Sequence, residues 1–182
     1  IVIWGNNVTV SNLHLAALIK KARKGGAKLV VIDPKRIKIA EQADLHLAVT
    51  PGTDVVLAMA VAAELERLGG IDQAFVDKWV HGFETYMTEA RKVSVEQAAE
   101  TCGLAVEDIR TFAKYYCDIS PAIMSVAVGI ERSRNGGSAI RSAAVLPALA
   151  GKFGQTGGGL IFNAGTTFPA TMDKLKQTQV IP

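Results

Sequence analysis

Two short stretches, residues 1–4 (IVIW) and 29–32 (LVVI), are continuously apolar, and each stops at a turn-former: Gly5 after the first, Asp33-Pro34 after the second. A strand with one wet face would alternate apolar and polar residues, so unbroken runs of this length point to strands buried on both faces. Between them Leu15, Leu18, Ile19 and Ala22 recur at helical spacing. Thr9 or Ser11 stands where a helix cap belongs, and Gly25-Gly26 ends the pattern. Strand, helix, strand in 33 residues requires a parallel pair joined by a right-handed crossover, which commits the chain to an α/β architecture.

The rest of the chain extends that unit. A third apolar run, residues 45–49, leads through Pro51-Gly52-Thr53-Asp54 into an alanine-rich helix over 55–68, apolar nearly all round and therefore deeply packed. Short helices are predicted at 72–81, 83–91, 94–101 and 107–116, forming a helical insertion on one edge of the sheet. Ser94 three residues before Gln97 fits a capping box. Ser120-Pro121 breaks the pattern before another buried-type strand over 122–129. A polar loop at 131–135 and a helix over 138–150 follow. The reading is a mostly parallel, Rossmann-like sheet with helices on both faces, spanning residues 1–160 with the insertion at about 71–118. Residues 161–182, rich in Thr, Gly and Lys, read as a loose tail or a link to a neighbouring domain.

Composition narrows the classes. Hydrophobic residues make up 49% and charged residues 20% of the 182, which excludes a disordered chain and leaves apolar surface to meet further protein. The net charge of +3 is spread out apart from Lys20, Lys21, Arg23 and Lys24, and such a run at a helix C-terminus is a solvated face rather than a nucleic-acid patch. No apolar run approaches the ~18 residues needed to cross a bilayer. Cys102 and Cys117 have neither zinc nor disulfide spacing and read as buried thiols. The chain opens at Ile1, already inside a strand, as expected of a piece of something longer, and nothing in it reports a compartment.

Catalytic candidates are absent. His14, His46 and His81 read as structural histidines, and there is no nucleophile elbow, His-Glu-x-x-His pair or phosphate loop with its lysine. Binding candidates converge instead. In a parallel sheet the loops after successive strands gather along one edge, where ligands bind. Those loops are Gly5-Asn6-Asn7, Asp33-Pro34-Lys35-Arg36 and Pro51-Gly52-Thr53-Asp54. The two asparagines tolerate a left-handed backbone, and a helix N-terminus behind them would attract phosphate. A carboxylate can accept from both hydroxyls of a ribose, or from the N1–H and amino group on one edge of guanine. Asp33-Pro34 also reads as a plain turn and Thr53-Asp54 as a helix cap, and the Gly-x-Gly-x-x-Gly fingerprint is missing because Asn7 replaces its second glycine.

Taken together, Trp4-Gly5-Asn6-Asn7, Ile32-Asp33-Pro34-Lys35-Arg36, Ala43-Asp44 and Pro51-Gly52-Thr53-Asp54 closely resemble the molybdopterin oxidoreductases of the dimethyl sulfoxide reductase family. Arg134-Asn135-Gly136-Gly137 and the glycine-rich stretch 151–159 look like two further signatures of that family, in the right order. The resemblance implies a molybdenum or tungsten enzyme with two pyranopterin guanine dinucleotides, one of them (a molybdopterin guanine dinucleotide) carried by this domain. Gly5 and Asn7 would lie beside the pyrophosphate, Asp33 at the guanosine, Gly52 and Asp54 in the guanine pocket, and Asn135 and Gly136 towards the pterin. Lys35 stands where the family often has Arg, and Ile37 and Ile39 where it has hydroxyl residues.

Family members commonly carry an iron-sulfur cluster near the start, a Cys, selenocysteine or Ser ligand to the metal, and a further domain over the cofactor. The resemblance therefore implies the rest of a parent chain as its partner, with electron-transfer subunits as candidate further partners. Catalytic residues and metal ligands are expected outside this segment, and the segment alone is expected to be inactive. Two other readings stand beside this one. The parent could be a scaffold subunit of the kind found as the large iron-sulfur subunit of complex I, or the chain a generic nucleotide-binding domain.

Overall fold

The computed structural model describes residues 1–162. Among the described residues five strands form one sheet: β1 (Val2–Trp4), β2 (Val30–Ile32), β3 (Leu45–Leu47), β4 (Ile123–Val126) and β5 (Gly159–Phe162). Their order is β3-β2-β1-β4-β5 and every pairing is parallel, with Trp4 level with both Ile32 and Val126. The chain leaves β1 towards β2 on one side and resumes at β4 on the other. The order thus reverses between β1 and β4, the place where open α/β sheets form a crevice.

The absence of alternation in β1 and β2 has the expected cause. Val2, Trp4, Val30 and Ile32 point into one core and Ile3, Leu29 and Val31 into a second on the opposite face. The second core is closed by α2 (Leu13–Lys24) through Ile19 and Leu15, and by Ile37, Ile39 and Ala40. The first core is larger and is organised around α3 (Asp54–Arg67), with Leu57, Ala58, Val61 and Leu65 fully buried.

The four short helices are present as α4 (Gln73–Trp79), α5 (Phe83–Ala90), α6 (Val95–Cys102) and α7 (Val106–Asp118), and α6 starts with the capping box of Ser94 and Gln97. They do not form an appendage on the sheet edge. Phe112 of α7 packs edge-on against Trp4 of the central strand, ring centroids 6.4 Å apart, and Met87, Ala98, Ile109 and Tyr116 join the same core. Helix α9 (Gly136–Leu149) completes this face.

Several local expectations are corrected. The helix after β1 is split: a single turn, α1 (Val8–Ser11), precedes α2, whose cap is Asn12 accepting from the Leu15 amide at 3.0 Å, not Thr9 or Ser11. The long helix therefore does not begin at the Gly5-Asn6-Asn7 loop; the single turn α1 does. Leu18 follows the helical period yet is 63% exposed, because the inner face of α2 is carried by Leu15, Ala16 and Ile19. The strand expected over 122–129 stops at Val126 and is followed by one helical turn, α8 (Val128–Glu131). Ile161 and Phe162, read as the start of a loose tail, belong to β5; the remainder of that tail lies outside the described residues. Cys102 is buried, whereas Cys117 is only half-buried.

Candidate functional site

Because all strands run the same way, the loops after β1, β2, β3 and β4 meet at one edge, where they enclose a cleft of about 210 Å³. Its wall includes Gly5, Asp33, Lys35, Gly52 and Asp54, five residues from three separate loops. Four residues that sequence reasoning did not single out complete it: Gly129, Ile130, Arg132 and Ser133, all following β4. The signal that could have found them was the switch point itself, since the loops after both central strands must border the crevice.

The cleft floor depends on backbone-to-backbone contact between β1 and β4. Gly5 has φ +59°, its amide donates to Ile32 O at 2.9 Å, and its carbonyl accepts from the Gly129 amide at 3.0 Å. A Cβ on Gly5 would stand 2.7 Å from the Ile130 nitrogen. Asn6 is turned away from the cleft, and its buried amide donates to Ser125 Oγ at 3.0 Å. The side-chain oxygen of Asn7 accepts from Thr9 Oγ1 at 2.9 Å.

Asp33 is half-buried. Its Oδ1 accepts from the Lys35 amide at 2.9 Å, and its carbonyl lies 2.9 Å from His46 Nε2. The turn reading is therefore correct as far as it goes, while the second carboxylate oxygen and unused lone pairs remain for a ligand. His46 is satisfied by this contact, as expected of a structural histidine, whereas His14 and His81 are exposed.

Asp54 does something else. It is 6% exposed and does not cap its helix; Thr53, the N-cap residue, makes no side-chain cap bond either. The indole N–H of Trp4 donates to Asp54 Oδ1 at 2.7 Å. Burial pushes the Asp54 carboxyl above its ordinary range, opposed by the Trp4 hydrogen bond and by the amides of Asp54 and Gly52. The adjoining turn is fixed from across the cleft. Asn135 Nδ2 donates to Gly52 O at 2.9 Å and Asn135 Oδ1 accepts from Ser133 Oγ at 2.9 Å, so the Asn135 side chain clamps the Gly52 turn. Gly136 is buried where a Cβ would run into the Glu131 carbonyl, a packing requirement at the start of α9.

Cys102 is closer to this site than its place in the helical insertion suggested. Its Sγ lies 3.6 Å from Thr53 O, and its carbonyl accepts from the Thr50 amide at 2.9 Å, so the end of α6 supports the β3–α3 turn from beneath. Ile39 is buried and Ile37 packs beside it in the second core, so neither has a polar role at the cleft. Asp44 and the 151–159 loop lie at the opposite, N-terminal edge of the sheet. There Asp44 accepts from the Leu29 amide, Lys28 and Arg23, and Lys152, 5% exposed, donates to Ile119 O at 3.2 Å. Among the described residues no three His, Cys, Asp or Glu side chains converge as a metal site, and no helix is long and apolar enough to cross a membrane.

Comparison with known proteins agrees with this architecture. The profile of the family described as "Molybdopterin oxidoreductase" matches residues 1–179. The protein named "Probable oxidoreductase YoaE" of Bacillus subtilis is 34% identical over 160 residues, covering 88% of this chain and 24% of its own. Acetylene hydratase of Syntrophotalea acetylenica is 32% identical over 164 residues, covering 90% of this chain and 22% of its own. The solved structure of acetylene hydratase from Pelobacter acetylenicus superposes with a TM-score of 0.78 at 32% identity, over 84% of this chain and 21% of that one. This chain thus spans about a quarter of the length of the curated relatives it matches. It belongs to the molybdopterin oxidoreductase family.

Proposed function

We propose that this chain is the part of a molybdenum or tungsten oxidoreductase that holds one guanine dinucleotide arm of a bis(pyranopterin guanine dinucleotide) cofactor. The observation that carries the reading is Asp54, a buried carboxylate in the wall of the crevice between β1 and β4, held by an indole N–H and followed by no helix-capping duty. A buried carboxylate costs stability unless its acceptors are used. One edge of guanine offers two donors, N1–H and the amino group, that match it.

The other residues fit the same ligand. The Gly5–Gly129 contact leaves bare main chain on the floor, where a diphosphate can approach closely. Asn7 lies in the loop beside that floor. The free oxygen of Asp33 can accept from ribose hydroxyls, and the exposed Lys35 and Arg132 can neutralise phosphate charge. Asn135 acts on the ligand through the Gly52 turn, and Gly136 keeps α9 close enough for that contact. At about 210 Å³ the cleft is below the roughly 300 Å³ at which whole small-molecule pockets begin. It suits one end of a long ligand whose remainder is covered by other parts of a larger protein.

When bound, the metal and its pterins supply the electron transfer. This chain binds, orients and excludes water from the nucleotide end. The metal ligand, an iron-sulfur cluster and substrate contacts belong, in this reading, to other segments or subunits, and the segment alone does not turn over. The test uses intact protein made in a host unable to synthesise the pterin cofactor, titrated with GDP and with ADP. GDP should bind at least about tenfold more tightly, the scale of one charge-assisted hydrogen bond. Equal affinities for the two nucleotides would remove the reading.

A further inference from the structure

Trp4 has no expected contact with a ligand: it is fully buried at the end of the central strand. Its ring packs edge-on against Phe112, interplanar angle 79°, in a close-packed core, and its one polar side-chain atom reaches Asp54 across 50 residues of sequence. We infer that Trp4 is a positioning residue for base recognition, its indole N–H fixing Asp54 Oδ1 so that the remaining acceptors of this carboxylate are presented to the base in one orientation. The inference rests on the nucleotide reading above and adds to it the residue that sets the aim of the carboxylate.

The arrangement is more than the satisfaction of a buried indole. A main-chain carbonyl would serve that purpose equally well. The donor is instead spent on the side chain that lines the cleft, which also loses rotational freedom by it. Among the described residues Asp54 has no other side-chain anchor: the amides of Asp54 and Gly52 are its other donors. The charged or titratable groups facing it are Cys102 from α6 beneath, Asp33 and Lys35 from the loop after β2, and Arg132 after α8. Because the indole N–H donates to the charged form, removing it favours the protonated acid.

The experiment is a pH series of GDP titrations, using cofactor-free intact protein, of the parent and of Trp4→Phe. In the parent, affinity falls as pH drops through the raised Asp54 pKa, since the protonated acid has lost an acceptor. In Trp4→Phe this acid limb should move to higher pH, and affinity at neutral pH should fall about tenfold, the loss of one hydrogen bond to a charged group. A purely structural tryptophan would lower the melting temperature and leave the acid limb in place; a folded Trp4→Phe with parental affinity and parental limb overturns the inference. If the smaller ring prevents folding, benzothienylalanine at position 4 keeps the bicyclic shape without the N–H, and the same two outcomes apply. Asp54→Asn separates the two levels. If it binds GDP as the parent does, the base reading fails and this inference with it. If it loses GDP while Trp4→Phe keeps both affinity and limb, only the inference falls.

Discussion

Gly5 is the position where a single methyl group should do most damage. Alanine there incurs two costs. The first is the left-handed backbone at φ +59°, about 1–2 kcal/mol for a residue with a Cβ. The second is steric: the new carbon would sit 2.7 Å from Ile130 N and 3.2 Å from Gly129 C, both main-chain atoms that no rotamer change can move. Overpacking of this kind costs about 1–3 kcal/mol. The sum, about 2–5 kcal/mol, corresponds to a fall in melting temperature of about 4–20 °C at the usual 2–4 °C per kcal/mol for 150–250 residues. Gly82→Ala is the control. Its φ is +78°, also left-handed, but nothing lies within 4 Å of the added carbon, so only the backbone cost of about 1–2 kcal/mol applies. Thermal melts of both variants, run beside GDP titrations, separate the contributions. Gly5→Ala should melt lower than Gly82→Ala and bind GDP more weakly, because spreading β1 from β4 opens the cleft floor; Gly82→Ala should bind GDP as the parent does. If the two variants lose equal stability, or if Gly5→Ala keeps full GDP affinity, the main-chain contact does not shape the site and the reasoning is wrong.

Other expectations follow from the same contacts. Asp54→Asn should raise stability at neutral pH. The Asp54 pKa is raised in the fold, so its contribution to stability is fully present below the unfolded value of about 3.9 and is lost as pH rises through the folded value; the amide never carries the charge, and the gain should shrink as denaturation is measured at progressively lower pH. Asn135→Ala removes the clamp on Gly52 O and should cost about 0.5–1.5 kcal/mol, with a severalfold loss of GDP affinity by titration. Asp44→Ala should cost about 1–3 kcal/mol by unfolding but leave GDP affinity alone, since it acts at the far edge of the sheet. Burial opposes ionisation of Asp44, but the Leu29 amide, Lys28 and Arg23 outweigh it and hold its pKa low. Its contribution is therefore present above about pH 3.9 and lost as pH falls through the folded value, so parent and variant should converge in acid.

The strands were legible because residues 1–4 and 29–32 are apolar without a break, and only a doubly covered strand needs that pattern. The capping box at Ser94 and the extent of α3 were legible for equally local reasons. Strand order was not, because nothing in the sequence says on which side of β1 the fourth strand will pair. Leu18 kept the helical period but faces out, since periodicity fixes a stripe and not how wide the buried stripe is. Gly5, Asp33, Gly52 and Asp54 were found by the rule that parallel strand ends converge, and they do line one cleft. Gly129 escaped because the fourth strand was extended to residue 129, and Arg132 because the polar loop expected at 131–135 was not placed at the crevice. The Trp4–Asp54 hydrogen bond and the seat of Cys102 beneath Thr53 span 50 and 49 residues, distances over which only the folded chain decides what meets.

The central claim is that a guanine nucleotide arm of a metal cofactor is held here. Its most direct test is to purify the intact protein from a host that makes the cofactor, measure molybdenum and tungsten, and hydrolyse the sample to release nucleotide. The account predicts one of these metals together with GMP, two GMP per metal for the bis form. Protein that contains neither metal, or metal without GMP, would contradict it.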